Sequence, residues 1–161
     1  MMTKLFIQKD FLSWDECKSL IEGHQSFEKH MVHENTKVVS LVELMQYNVY
    51  IRHLYARLCY FAQRCFNDEN YFVDYSHVVE RVGGMDNHLD FRNQVATSIV
   101  FLNDDYKGGE TIVDGIKIKP ERGKIVCFEG SASHHEVNDF KNTTRFTINS
   151  WYLNGKYVNT L

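Results

Sequence analysis

Near Tyr71 the spacing of apolar residues changes from a helical period to the two-residue alternation of strands. That switch restricts the chain to folds in which helices support a β-rich core. Upstream, Ser13 and Glu16 form a capping-box signature, predicting a helix from Trp14 to about His24. Ser40 and Glu43 repeat it ahead of a longer helix whose buried face would be Leu44, Tyr47, Ile51, Leu54, Leu58, Phe61 and Cys65. The polar run from Asn67 to Asn70 stops that helix. Downstream, strands are expected at Phe72–Arg81, Val95–Leu102, Thr111–Val113, Ile116–Ile118, Lys124–Phe128 and Arg145–Leu153. Asp114-Gly115 is a two-residue hairpin turn. The expected class is α+β: a sheet sandwich or jelly roll over residues of about 71–161, buttressed by helices within about 1–70. No repeat, linker or low-complexity tract divides the chain, so 161 residues read as a single domain.

His88-Leu89-Asp90 is the first element with chemistry in it. On extended backbone, residues two apart share a face, so an imidazole and a carboxylate can reach one metal. Alone, such a tripeptide is more often a surface pair. His134-His135-Glu136-Val137 changes that balance, because it follows directly on the strand ending at Phe128 and offers a third ligand. Adjacent residues on a strand face opposite ways, so only one of the two histidines can serve; His135 shares the parity of Arg145. Two histidines and one carboxylate on one side of an iron leave the opposite positions open, as oxygen activation requires.

A dicarboxylic co-substrate held on such a metal at one end needs a cation for the other. Arg145, ten residues past His135, offers a planar guanidinium that pairs with a carboxylate through two hydrogen bonds. Thr147, Asn149 and Trp151 continue its face of the last strand, and Phe146, Ile148, Ser150 and Tyr152 form the other.

The ordered set HLD, TSIVFLND, GGET, IKPERGKIVCF, HEV and TRFTINSWY, from His88 to Tyr152, resembles the catalytic core of the 2-oxoglutarate- and Fe(II)-dependent oxygenases. Within them it is most similar to the prolyl hydroxylase group. The resemblance implies a double-stranded β-helix, or jelly roll, with iron on His88, Asp90 and His135 and 2-oxoglutarate on Arg145. Thr147, Thr97 and Trp151 are further co-substrate contacts. It also implies hydroxylation of a C–H bond, a peptidyl proline first, using dioxygen and releasing succinate and carbon dioxide. Members often carry a tyrosine about ten residues before the H-x-D motif, where this chain has Val78 and Val79. That leaves Thr97 and Thr147 as the polar candidates.

Two other readings compete. One is hydroxylation of another residue or a small molecule. The other is a jelly-roll binding module that keeps its metal without catalysis, for which a cation facing open metal positions has no use. A zinc hydrolase would need Glu136 or Glu110 as its base. A net charge of −3 and a pI near 6.2 argue against nucleic acid as a partner. No apolar run reaches membrane-spanning length, and the first residues do not read as a signal peptide. Cys17, Cys59, Cys65 and Cys127 are scattered through apolar segments, which suits reduced core residues and a cytoplasmic protein. Lys117, Lys119, Arg122 and Lys124 read as the solvated face of an edge strand. The partner expected is a peptide, protein or small-molecule substrate; oligomeric state stays open.

Overall fold

The computed structural model describes residues 2–33, 35–46 and 48–158. Two antiparallel sheets face each other, and helices cover the outer side of the larger. Its seven strands run, edge to edge, β1 (Leu5–Gln8), β9 (Ile125–Phe128), β6 (Ala96–Phe101), β11 (Arg145–Asn154), β4 (Tyr71–Arg81), β3 (Thr36–Ser40) and β2 (His30–His33). The smaller sheet has the order β5 (Met85–His88), β10 (His135–Val137), β7 (Thr111–Val113) and β8 (Ile116–Ile118). This is the mixed helix–sheet jelly-roll class that the motifs implied. Asp114 and Gly115, with φ of 46° and 82°, close the β7–β8 hairpin as expected.

The first 70 residues are not purely helical. They supply β1 at one edge of the large sheet and the β2–β3 hairpin at the other. The two edge strands, β1 and β2, are short and border solvent; all four residues of β2 are exposed, so no alternation marks it. The second helix is also broken. Ser40 and Glu43 do form a capping box, but it opens only the short α2 (Leu41–Met45). The Asn48 side chain then accepts from the Tyr50 amide at 2.9 Å, drawing the backbone away from the helical ladder before α3 (Tyr50–Phe66) begins. Tyr47, expected on the buried face, lies outside the described residues. Asn67 ends α3 in the left-handed conformation.

The apolar core fills the space between the helices and the outer face of the large sheet. Leu20 of α1 (Trp14–Ser26), Leu54 and Leu58 of α3, and Val78, Ile148 and Tyr152 of the sheet all belong to it. Cys17 and Cys127 are buried there, and Cys59 and Cys65 pack against it. A second, smaller cluster (Ile99, Phe101, Val113, Ile118, Val126, Phe128) joins the two sheets at one end. The other end is left open, and there the polar face of β11 looks into a cavity. The basic cluster is not one solvated face. Lys124 is buried and reaches the Lys119 carbonyl at 2.9 Å, while Arg122 stacks over Trp14 at 4.0 Å. Proximity to α1 and to Glu121, 3.0 Å from Lys124, draws both inward. A four-residue helix, α4 (Gly155–Val158), follows β11, and no helix among the described residues is long and apolar enough to cross a membrane.

Candidate metal centre and co-substrate pocket

His88 ends β5 and His135 starts β10, and these two residues pair directly across the small sheet. Register alone therefore sets the imidazoles together, with ring centroids 4.2 Å apart. Asp90 comes from the loop after β5. One ligand atom from each of His88, Asp90 and His135 lies within 4.8 Å of the others, a spacing that fits a single ion. Each histidine is oriented by the same device: Nδ1 of His88 donates to the Asp86 carbonyl at 2.8 Å, and Nδ1 of His135 to that of Ser133 at 3.0 Å. A carbonyl only accepts, so in each ring the proton sits on Nδ1 and Nε2 keeps its lone pair. Nε2 of His135 lies 3.6 Å from Asp90 Oδ1.

The Asp90 carboxyl is tightly cradled. Its amide donates to the Gly130 carbonyl at 3.0 Å, and the Thr97 hydroxyl donates to Oδ2. A Cβ at Gly130 would collide with both Thr97 Oγ1 and Asp90 Oδ2, so only glycine lets the loop after β9 close over them. Burial pushes the Asp90 carboxyl up, but the adjoining His135 ring and hydrogen bonds from Thr97 and Trp151 outweigh it and hold the group below its ordinary value. The donor set is thus one carboxylate kept ionised and two imidazoles with free Nε2 atoms.

The same cavity, about 220 Å³, continues from the triad along the inner face of the large sheet to Arg145. Arg145 is 2% exposed. One terminal nitrogen donates to Thr111 Oγ1 at 2.9 Å, and Nε has no hydrogen-bond partner among the described residues. Among the described residues it makes no ion pair with a carboxylate. Burial lowers its pKa to about 10, opposed by the Tyr106 hydroxyl and reinforced by Arg81, so it remains a cation at neutral pH. The Tyr106 hydroxyl is itself buried, and burial pushes it up to about 12. A buried guanidinium with an unused donor fits an anionic ligand.

Trp151 lines the cavity and stacks on Tyr75 with centroids 4.6 Å apart. Thr97 lines it as well and touches Asp90. Thr147 is fully buried and spends its hydroxyl on Asn149 Oδ1 at 2.8 Å, so its contact with the cavity runs through Asn149, which does line it. His134 is exposed on the far side of β10, its amide bonded to Asp114. Sequence reasoning missed Tyr75, His77, Arg81, Thr111, Tyr106 and Gly130. Tyr75 and His77 could have been found from parity: β4 pairs β11 in register, so residues opposite Trp151 and Asn149 share their face. Tyr75, not a residue at the Val78–Val79 level, brings a phenol into the pocket.

Residues 72–153 match the family described as the 2OG-Fe(II) oxygenase superfamily. The chain belongs to that superfamily. No curated protein matches the sequence significantly. Among solved structures, this 2OG-Fe(II) oxygenase is similar to a prolyl hydroxylase from Trichoplax adhaerens in complex with a hypoxia-inducible-factor peptide fragment. The two are 19% identical with a TM-score of 0.77, over 98% of this chain and 86% of that one. An oxidoreductase of the 2OG-Fe(II) oxygenase family from Burkholderia pseudomallei gives a TM-score of 0.76 at 16% identity, over 93% and 84% of the two chains. A viral collagen prolyl hydroxylase from Paramecium bursaria Chlorella virus-1, in its 2-oxoglutarate complex, gives 0.70 at 18% identity, over 94% and 96%. At these identities the likeness is one of fold. The oxygenases of this superfamily use Fe(II), 2-oxoglutarate and dioxygen.

Proposed function

We propose that the chain, acting as a single domain, hydroxylates a C–H bond, with a peptidyl proline as the first candidate. In this reading Fe(II) is held by Nε2 of His88 and His135 and by the Asp90 carboxylate. The bound metal with 2-oxoglutarate and dioxygen supplies the oxidising power, releasing succinate and carbon dioxide. The residues of the chain do the positioning. Arg145 takes the far carboxylate of 2-oxoglutarate, with Thr111 beside it and Tyr106 behind. Thr97 holds Asp90 in its ligating orientation, and the stacked Tyr75–Trp151 pair walls the cavity against water.

The observation that carries this reading is Arg145. A fully buried guanidinium with an orphaned Nε, in one cavity with a two-histidine, one-carboxylate triad, is costly unless an anion joins it. A metal kept only for structure has no need of it. A macromolecular substrate is favoured by the rim. Val32 lines the cavity, and Met31, Val82, Leu89 and Phe91, all exposed, stand next in sequence to residues that line it. The Trichoplax and viral relatives, both described as prolyl hydroxylases, point the same way.

The test is anaerobic titration of the protein with Fe(II) and 2-oxoglutarate, followed by succinate release on a panel of proline peptides. A visible charge-transfer band and peptide-stimulated succinate are expected. Iron binding without any 2-oxoglutarate-dependent band would remove the reading.

A further inference from the structure

Arg145 has a neighbour that the co-substrate does not need. In the register of the large sheet Arg81 pairs directly with Arg145 on one side and with Thr36 on the other, so all three side chains rise on the inner face. Arg81 is 7% exposed, and burial lowers its pKa. Among the described residues its one hydrogen bond is to the Gly84 carbonyl at 3.3 Å, a long contact with a neutral acceptor. No carboxylate among the described residues pairs with it; Asp139 spends Oδ1 on the amide of Gly84, at 3.3 Å. Two guanidiniums side by side repel each other and both lose solvation, so without anions the pair is unfavourable.

The two arginines share the inner cavity but not all of their surroundings. Arg145 lines only the inner cavity, whereas Arg81 lines that cavity and also a shallow outer groove of about 380 Å³. The groove is bordered by His33, Asn35, Met85, Asp86, Asn87 and His88 as well, and Asp86 forms no ion pair with Arg81. His88 and His33, like Arg81, border both spaces. Arg81 therefore stands at the junction between the cavity that holds the triad and the groove on the solvent side.

We propose that Arg81 is a specificity residue that binds a carboxylate of the prime substrate, so that the enzyme acts on acidic substrates. This rests on the oxygenase reading above and adds the substrate class to it. The carboxylate can belong to a free amino or organic acid or to an acidic side chain of a peptide, and the test separates the two. Asn35 and His33 at the groove supply further hydrogen-bonding groups around the fixed charge.

The experiment uses the anaerobic protein loaded with Fe(II) and saturating 2-oxoglutarate, with probe binding followed by calorimetry. One pair of probes is L-proline and L-prolinamide. The other is blocked proline peptides carrying Glu beside the proline and their Gln counterparts. In the wild type, at least one acid should bind about tenfold or more tightly than its amide, the cost of removing a charge-assisted hydrogen bond. Preference for the free acid identifies a small-molecule substrate, and preference for the Glu peptide an acidic polypeptide. Arg81→Gln should collapse that preference to near unity, Arg81→Lys should restore part of it, and 2-oxoglutarate affinity should hold in both. Melting curves check that the variants fold, and the acid–amide comparison in the wild type needs no variant at all. Equal binding of every acid and amide in the wild type, or no binding of any, overturns the proposal while leaving the oxygenase reading intact if 2-oxoglutarate still binds. An Arg81→Gln protein that loses 2-oxoglutarate as Arg145 variants do also overturns it, since Arg81 would then serve the co-substrate. Failure of the wild type to bind 2-oxoglutarate removes both.

Discussion

The two faces of β11 run through the same sheet at the same depth, yet their polar groups are treated differently. On the outer face, Phe146, Ile148 and Tyr152 pack against helices, and each polar atom between them is satisfied from within. Ser150 bonds Ser76 at 2.7 Å, and the Tyr152 hydroxyl lies 2.8 Å from Ser98 and donates to the Leu58 carbonyl at 3.2 Å. On the inner face, Arg145 keeps an unused donor and Asn149 and Trp151 look into a cavity. A face whose polar groups close on themselves stabilises the fold. A face that leaves a buried charge open has been left to a ligand. If the comparison holds, mutations on the two faces should fail in different assays.

The largest effect belongs to the triad at the far end of the inner face. His88→Ala, Asp90→Ala and His135→Ala should each abolish the anaerobic charge-transfer band with Fe(II) and 2-oxoglutarate, while His134→Ala, on the exposed side of β10, keeps it. A band lost in His134→Ala and kept in His135→Ala would reverse the assignment.

Next comes the direct contrast across β11. Ile148→Ala on the outer face should lower unfolding stability by about 2–5 kcal/mol, through lost burial and a cavity. The protein that remains folded should bind 2-oxoglutarate as the wild type does. Arg145→Met on the inner face should do the opposite. Removing one partner of a desolvated charge pair costs roughly 2–5 kcal/mol, so 2-oxoglutarate affinity should fall by about 30-fold or more. Urea unfolding of the ligand-free variant should show no comparable loss of stability, because an uncompensated buried cation has been replaced by an apolar side chain of similar reach. Equal loss of stability in the two variants would erase the distinction between the faces.

A smaller effect should come from Gly130, which touches neither metal nor co-substrate in the proposed arrangement. Gly130→Ala places a methyl group against Thr97 Oγ1 and Asp90 Oδ2. Disturbing a partner that orients a ligand costs about 10–100-fold in metal affinity. Iron titration should show that loss, and the melting temperature should fall by the few degrees that an overpacking strain of about 1–3 kcal/mol implies. Thr97→Val should weaken iron less than Asp90→Ala, since it removes a bond to the ligand and not the ligand.

The alternation along β11 could be read directly from residues, because a two-residue period leaves no choice of face. The order of motifs from His88 to Tyr152 pointed to the class of fold through its resemblance to the oxygenase family. What stayed hidden was set by pairing between distant segments. Arg81 joins Arg145 only through the β4–β11 register, and the same register sets Tyr75 opposite Trp151. Gly130 is one glycine among nine until the loop after β9 is seen against Asp90. The edge strands β1 and β2 were missed because strands that border solvent carry too few buried residues to show a period.

The smallest expected effect concerns the outer face and tests whether it is as closed as it looks. His24 of α1 is 0% exposed, stacks edge-on to Phe146 at 5.8 Å, and holds Glu80 of β4 at 3.0 Å through Nε2. Its Nδ1 has no hydrogen-bond partner among the described residues. Burial lowers the His24 pKa, and Lys29 lowers it further, against the opposing pull of Glu80. The folded protein therefore resists protonating a ring that the unfolded chain protonates near pH 6.5. As pH falls below that value the unfolded state binds more protons, so stability drops until the folded pKa is passed, at most by about 1.4 kcal/mol per pH unit for one proton. Glu80 has a separate window. Burial raises its carboxyl, but the bonds from His24 and Lys29 outweigh that and leave it below its ordinary value. Its contribution is present above about pH 4.5 and is lost as pH falls through the folded pKa. His24→Gln puts an amide that does not titrate in the ring's place. Urea midpoints of the ligand-free protein between pH 7 and pH 5, compared with wild type, should then fall less steeply, while the loss below about pH 4.5 remains. Parallel curves above pH 5 would mean that the proton taken up on acid unfolding goes elsewhere, and that His24 is accommodated as a cation within the outer face.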